Sequence, residues 1–94
     1  MARDAVTAEA VEDTILALTT QLGPEKTICP SDAARALAGN DPEIWRRLMP
    51  DIRRVAIRLM KEGRVLIKRK GRVVDPDDFR GVYRIAVAPS PPEA

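Results

Sequence analysis

The sequence predicts a small α+β domain that is mainly helical, with three helices followed by a two-stranded β-hairpin. Apolar residues recur at helical spacing in three stretches, and a glycine follows each of them. Two later stretches alternate apolar and polar residues as strands do, with a basic loop between them. This order of elements is that of a winged helix-turn-helix, in which a hairpin wing folds against the helices.

The length of the chain sets the domain organisation. Its 94 residues are enough for one domain with one modest core. We expect a flexible N-terminus over residues 1–6, the winged-helix domain over residues 7–88, and a disordered Pro-rich tail over residues 89–94.

The first two helices are predicted from their caps and apolar spacing. The first runs from Thr7 to Leu22, with Thr7 as its N-cap. The second begins at Pro30 or Ser31, because proline fits a first helical turn, and Ser31 or Asp32 is expected to cap it.

The third helix is predicted from Pro50 to Glu62 and has two distinct faces. A short helical stretch precedes it and carries Trp45, which we expect to be mostly buried as a core anchor. One arc of the third helix carries four basic residues and no acidic partner for them: Arg53, Arg54, Arg58 and Lys61. The opposite arc carries apolar residues: Ile52, Val55, Leu59, Ala56 and Met60.

The hairpin is predicted from alternation after the third helix. Val65 and Ile67 on the first strand are expected to pair antiparallel with Tyr83 and Ile85 on the second. Turn residues at 70–71 and a basic loop separate the strands, and residues 73–74 are expected to extend the pairing briefly.

Charge is strongly polarised along the chain. Residues 46–72 contain eleven Lys or Arg and two acidic residues, although the whole chain has a net charge of only +2. The first 45 residues contain three basic and eight acidic residues. A basic segment of this kind is typical of a surface that binds an anionic partner.

Composition argues against catalysis and metal binding. The chain has no histidine and one cysteine, Cys29, so the usual acid–base, nucleophilic and metal-binding groups are missing. We therefore predict no enzyme activity, no catalytic or metal-ligating residues and no cofactor. A lone cysteine, the lack of a signal-peptide pattern and the lack of a membrane-length apolar run lead us to expect a cytoplasmic protein without membrane contact.

Several short motifs resemble a known family. They are Pro30-Ser31-Asp32-Ala33-Ala34-Arg35-Ala36-Leu37, Trp45-Arg46-Arg47-Leu48-Met49-Pro50, Arg53-Arg54-Val55-Ala56, Leu59, Gly63, Gly71 and Val74-Asp75-Pro76. Over roughly residues 11–87 the chain resembles small bacterial proteins catalogued as domain of unknown function 3253. The resemblance implies a winged-helix fold in a bacterial protein and supplies no activity or site residues.

The predicted function is non-catalytic binding of nucleic acid, preferably duplex DNA, in a transcription regulator or another DNA-associated protein. The binding residues are expected to come from the third helix and from the hairpin wing: Arg53, Arg54, Arg58, Lys61, Lys68, Lys70 and Arg72. We expect none of these residues to be needed for folding, because those on the helix lie opposite its apolar face.

Two alternatives stay open at this point. The basic segment also suits an acidic protein partner, and double-stranded or transfer RNA is a further candidate. A two-fold dimer through the acidic first helix is a hypothesis. The target sequence, any effector and the biological pathway do not follow from the residues.

Overall fold

A computed structural model describes residues 6–89, which form a small α+β domain with an antiparallel sheet. The predicted flexible start and Pro-rich tail lie almost wholly outside these residues. The elements in chain order are α1 (Ala8–Leu22), α2 (Pro30–Ala38), α3 (Pro42–Trp45), a 3-10 turn (Arg46–Leu48), α4 (Met49–Lys61), β1 (Val65–Arg69), β2 (Arg72–Val73) and β3 (Arg84–Val87).

The start of α1 is confirmed, whereas the predicted cap of α2 is wrong. The Thr7 hydroxyl accepts a hydrogen bond of 3.0 Å from the Ala10 amide. In α2 the N-cap is Cys29, whose amide donates to the Asp32 carboxylate at 2.9 Å. Pro30 explains the difference, because a residue before proline is forced into the extended conformation that an N-cap adopts.

The predicted third helix corresponds to α4 and differs from the prediction by one residue at each end. It runs on directly from the 3-10 turn, so the chain stays helical through Pro50. Pro50 lies in the first turn of α4, where its missing N–H has no helical partner to lose.

The sheet has three strands in the order β2-β1-β3, one more than predicted. Val65 pairs with Val87 and Ile67 with Ile85, so the antiparallel pairing of the two longer strands is confirmed. Tyr83 lies just before β3 and is not one of the paired residues. The extra strand arises because a tight turn sends Arg72–Val73 back along the free edge of β1.

A short bridge joins the segment before α2 to the other side of the sheet. The Ile28 amide donates to the Ile85 carbonyl at 2.8 Å, and the Ile85 amide donates to the Ile28 carbonyl at 3.0 Å. Ile85 is therefore held on both sides, which ties the N-terminal half of the chain to β3.

The core lies between the helices and the sheet and is mostly aliphatic. Trp45 is partly buried and packs against this core, in agreement with the expectation, and the guanidinium groups of Arg35 and Arg46 lie over its ring at 5.5 and 5.9 Å. The largest fully buried apolar side chains come from α1, α4, β1 and β3, and they are Val11, Ile15, Ile52, Leu59, Val65, Ile67 and Ile85.

Lys70 and Gly71 form the turn between β1 and β2. Both have positive φ, 54° and 79°, as the two central residues of a type I′ hairpin turn require. This turn matches the right-handed twist of the strands.

We predict that Gly71→Ala lowers the free energy of unfolding by about 1–2 kcal/mol, because alanine is strained at positive φ. A Cβ atom at this position would meet nothing within 4 Å, so the cost is conformational and not steric. Gly71→Asn should cost less, since asparagine tolerates this region. Urea unfolding followed by Trp45 fluorescence measures both; equal stability of the alanine variant and wild type would contradict the assigned turn.

Candidate nucleic-acid interface

Two basic residues on the outer face of α4 are exposed, and each has one acidic partner. Arg54 pairs with Asp51 one turn earlier. Lys61 pairs at 2.7 Å with Asp77, which lies in the loop between β2 and β3. The Arg54 and Lys61 side chains remain 69% and 52% exposed, so both ion pairs are open to water and salt.

A third basic residue of α4, Arg58, links helices that are distant in sequence. Its guanidinium donates to Glu12 of α1 at 2.6 Å and to Glu62 at 2.9 Å. Arg64 donates to the other Glu12 oxygen at 2.8 Å. Hydrogen bonds donated by Arg58 and by Arg64 hold the pKa of Glu12 below its ordinary value, and the bonds that Arg58 donates to Glu12 and Glu62 raise the pKa of Arg58.

These contacts overturn the premise that the basic arc of α4 has no acidic partner. Arg54 and Lys61 each have one acidic partner and Arg58 has two, and these partners come from the neighbouring turns, from α1 and from the β2–β3 loop. A helical projection of α4 alone shows none of the acidic groups that other elements bring to it.

Arg53 is directed inward, over the aromatic residues of the β2–β3 loop. Its guanidinium carbon lies 3.9 Å from the centroid of the Phe79 ring, and Nη2 donates to the Phe79 carbonyl at 2.7 Å. The same carbon is 5.8 Å from the centroid of the Tyr83 ring, which meets Phe79 edge to face. Arg53 therefore fastens the loop to α4 and is not free on the surface.

Among the described residues, three basic residues of the hairpin lack such partners, as do the exposed Arg46 and Arg47 before α4. Within residues 6–89, no carboxylate lies within ion-pair distance of Lys68, Lys70 or Arg72. Lys70 and Arg72 are exposed, and Lys68 is half-buried. The tip of the hairpin is thus a cluster of positive charge that nothing in the described part of the chain neutralises.

Sequence reasoning missed one basic neighbour of this cluster, Arg84. Its Cα is paired with that of Lys68 across β1 and β3, so both side chains lie on the same face of the sheet. Its Nε donates to the Thr27 hydroxyl at 2.6 Å, which fixes the side chain. The strand alternation identified Arg84 as outward-facing, but only the register shows that it lies beside Lys68.

The seven predicted site residues therefore fall into three groups. Lys68, Lys70 and Arg72 lie together on the hairpin. Arg54 and Lys61 are exposed on α4, each in a weak ion pair with an acidic residue. Arg53 and Arg58 make contacts with other elements of the domain.

Two further kinds of site were sought in the part of the chain that the structure describes, a metal-binding group and a membrane-spanning helix. Across residues 6–89 there is no group of three or more cysteine or acidic side chains placed to hold a metal ion. Among the helices of the same residues, none has the length and apolar character needed to cross a membrane.

Fold and surface together define a small α+β domain whose positive charge is concentrated on one helix and one hairpin. The chain belongs to the family described as protein of unknown function (DUF3253), whose model matches residues 8–88. The family resemblance read from the sequence is confirmed. A search of curated proteins finds no match to this chain.

We predict that Arg53→Ala lowers the free energy of unfolding by about 2 kcal/mol, because it removes a charged hydrogen bond and a contact with an aromatic ring. Arg53→Lys should recover only part of this loss, since an ammonium group lacks the planar geometry of guanidinium. The matched control is Arg54→Ala, an exposed arginine of the same helix, which should change stability by about 0.5 kcal/mol or less. Equal urea midpoints for the two alanine variants would contradict the structural role of Arg53.

Proposed function

We propose that this domain is a winged helix that binds nucleic acid, preferably duplex DNA, without catalysis. The observation that carries the proposal is the hairpin tip, where Lys68, Lys70 and Arg72 have no acidic partner among the described residues. An exposed basic hairpin turn is suited to phosphate groups along a duplex.

The topology supports the winged-helix interpretation. The bridge at Ile28, β3 and β1 lie side by side, as three strands of a winged-helix sheet would. In this interpretation α4 is the recognition helix and the β1–β2 hairpin is the wing. In the same interpretation, a helix and a wing would be the two binding elements of one domain.

The two elements would contribute differently. Lys68, Lys70 and Arg72 on the hairpin would contact phosphates and so bind all sequences alike. Arg54 and Lys61 on α4 would reach the groove or its backbone edge. Arg53 and Arg58 would position the loop and α1 instead of contacting DNA.

The acidic partners of α4 would act as internal competitors for phosphate. Asp51 and Asp77 hold Arg54 and Lys61 in exposed ion pairs, and such pairs contribute only about 0–1 kcal/mol. Phosphate groups could therefore displace them at small cost. The affinity of the domain would depend on how readily these pairs open.

We also propose that the protein is located in a bacterial cytoplasm, because of the family resemblance and the single cysteine. A two-fold dimer through α1 stays a hypothesis. The contacts of Glu12 with Arg58 and Arg64 already occupy part of the acidic surface of α1.

We predict that the protein binds a labelled DNA duplex at low salt and that replacement of Lys68, Lys70 and Arg72 by alanine weakens binding to every sequence. Each lost phosphate contact should reduce the slope of log K against log salt by about 0.9. Fluorescence anisotropy over a salt series measures both quantities. Lys26→Ala removes one charge from the α1–α2 loop and is the control for a general charge effect.

A pair of adjacent acidic residues tests the contribution of α4 within the same assay. Asp77→Asn releases Lys61 and should tighten binding, whereas Asp78→Asn changes the net charge equally and has no ion pair to release among the described residues. If the two substitutions change the DNA affinity equally, Lys61 is not part of the interface. Failure of wild type to bind any duplex at low salt would refute DNA binding and favour an acidic protein partner. Unchanged affinity of the triple variant would refute the hairpin as the element that binds DNA.

A further inference from the structure

Lys68 and Arg84 lie directly opposite each other on the sheet and carry the same charge. Their Cα atoms are paired across β1 and β3, so their Cβ atoms are roughly 5 Å apart. The neighbouring pair, Ile67 and Ile85, is fully buried in the core, which places the two cations on the opposite face of the sheet. Like charges in this position repel each other, so the pair lowers stability unless an anion lies between them.

The described part of the protein supplies no anion to this pair. The three strands contain no acidic residue, and within residues 6–89 no carboxylate lies within 4.0 Å of either cation. Glu25 is the acidic residue nearest in sequence to Thr27, a contact of Arg84, and it is exposed and forms no ion pair among these residues. On the other side of Lys68, its partner on β2 is the uncharged Val73.

The guanidinium group of Arg84 is held with one edge free. Nε donates to the Thr27 hydroxyl at 2.6 Å and Nη2 donates to the Thr27 carbonyl at 3.3 Å, so Thr27 occupies the edge that these two nitrogens form. The edge formed by Nη1 and Nη2 donates to no further protein group within residues 6–89. An arginine edge of this kind binds two oxygens of one phosphate, and fixing it beforehand lowers the entropic cost of binding.

We propose that Lys68 and Arg84 form a phosphate-binding site on the face of the sheet opposite the core, with Thr27 as its positioning residue. Arg84 supplies the bidentate edge, and Lys68 supplies a second positive charge on a flexible stem. The bound phosphate places negative charge between the two cations and removes their repulsion. A carboxylate fits less well, because the Arg84 edge would occupy both of its oxygens, whereas phosphate has further oxygens for Lys68.

Two sources of phosphate share this chemistry. One is the backbone of a nucleic acid, and this source rests on the function proposed above. The DNA surface would then extend from the hairpin turn across β1 to β3. The other source is a small phosphorylated molecule, which needs no DNA binding.

The test is an NMR titration of ¹⁵N-labelled protein with inorganic pyrophosphate in a low-salt buffer. We expect saturable shifts of the Arg84 side-chain N–H and of the amides of Lys68 and Arg84, with a dissociation constant in the millimolar range. Thr27→Val keeps the size of the side chain and the net charge but removes the acceptor of the Nε bond, so it should weaken binding about 5-fold. Thr27→Ser keeps the hydroxyl and should bind as wild type does.

A matched pair of charge substitutions separates this site from a general effect of charge. Arg84→Gln should weaken pyrophosphate binding about 10-fold, because it removes the bidentate edge. Arg47→Gln removes the same charge from an exposed residue of the 3-10 turn and should leave the affinity close to that of wild type. Thr27→Val should have no further effect in the Arg84→Gln background, because its hydroxyl acts through Arg84.

A second titration, with a DNA duplex, distinguishes the two sources. If the duplex shifts the Arg84 side-chain signal and pyrophosphate displaces it, the backbone phosphate is the ligand. If pyrophosphate binds and the duplex leaves Arg84 unchanged, the ligand is a small phosphorylated molecule. A duplex that binds nowhere refutes DNA binding, and the pyrophosphate titration then decides this proposal alone.

Three outcomes would overturn the phosphate site. The first is the absence of saturable shifts at Lys68 and Arg84 when pyrophosphate is added. The second is equal pyrophosphate affinity of Thr27→Val and wild type, and the third is an equal loss of affinity in Arg84→Gln and Arg47→Gln. Melting curves of each variant confirm that it is folded.

Discussion

The contact between Arg53 and Phe79 is the interaction on which the C-terminal half of this domain depends. The loop between β2 and β3 has little regular structure, and three basic residues hold it. Arg53 stacks on Phe79 and bonds its carbonyl, Lys61 pairs with Asp77, and Arg69 donates to the Val82 carbonyl at 2.8 Å. Because this loop leads directly into β3, its position determines where the phenol of Tyr83 lies.

Positive charge in the middle of the chain therefore has two uses. Part of it, on α4 and β1, holds elements together that are distant in sequence. Another part, Lys68, Lys70 and Arg72 on the β1–β2 hairpin, has no acidic partner among residues 6–89 and is available to another molecule. A high local charge does not by itself define a binding surface, since exposed ion pairs within the protein compete for the same cations.

Much of the fold followed from local patterns, whereas the detail of the site did not. Apolar spacing located the helices, and alternation located the pairing of Ile67 with Ile85. The Thr7 cap was predictable because capping involves neighbours in sequence. The partner of Arg58 is 46 residues away, and no local period indicates such a contact. The brief pairing expected at residues 73–74 is present as β2, but its two residues are too few to show an alternation, so it was not predicted as a separate strand.

The most direct test of this division of charge is to follow the arginine side-chain and backbone N–H signals while a DNA duplex is added to ¹⁵N-labelled protein. We expect the amides of Lys70, Gly71 and Arg72 to shift first, and the side-chain signal of Arg53 to stay in place because its contacts lie within the domain. The opposite pattern, in which the Arg53 side-chain signal shifts and the hairpin amides do not, would contradict both the structural role of Arg53 and the hairpin as the binding element.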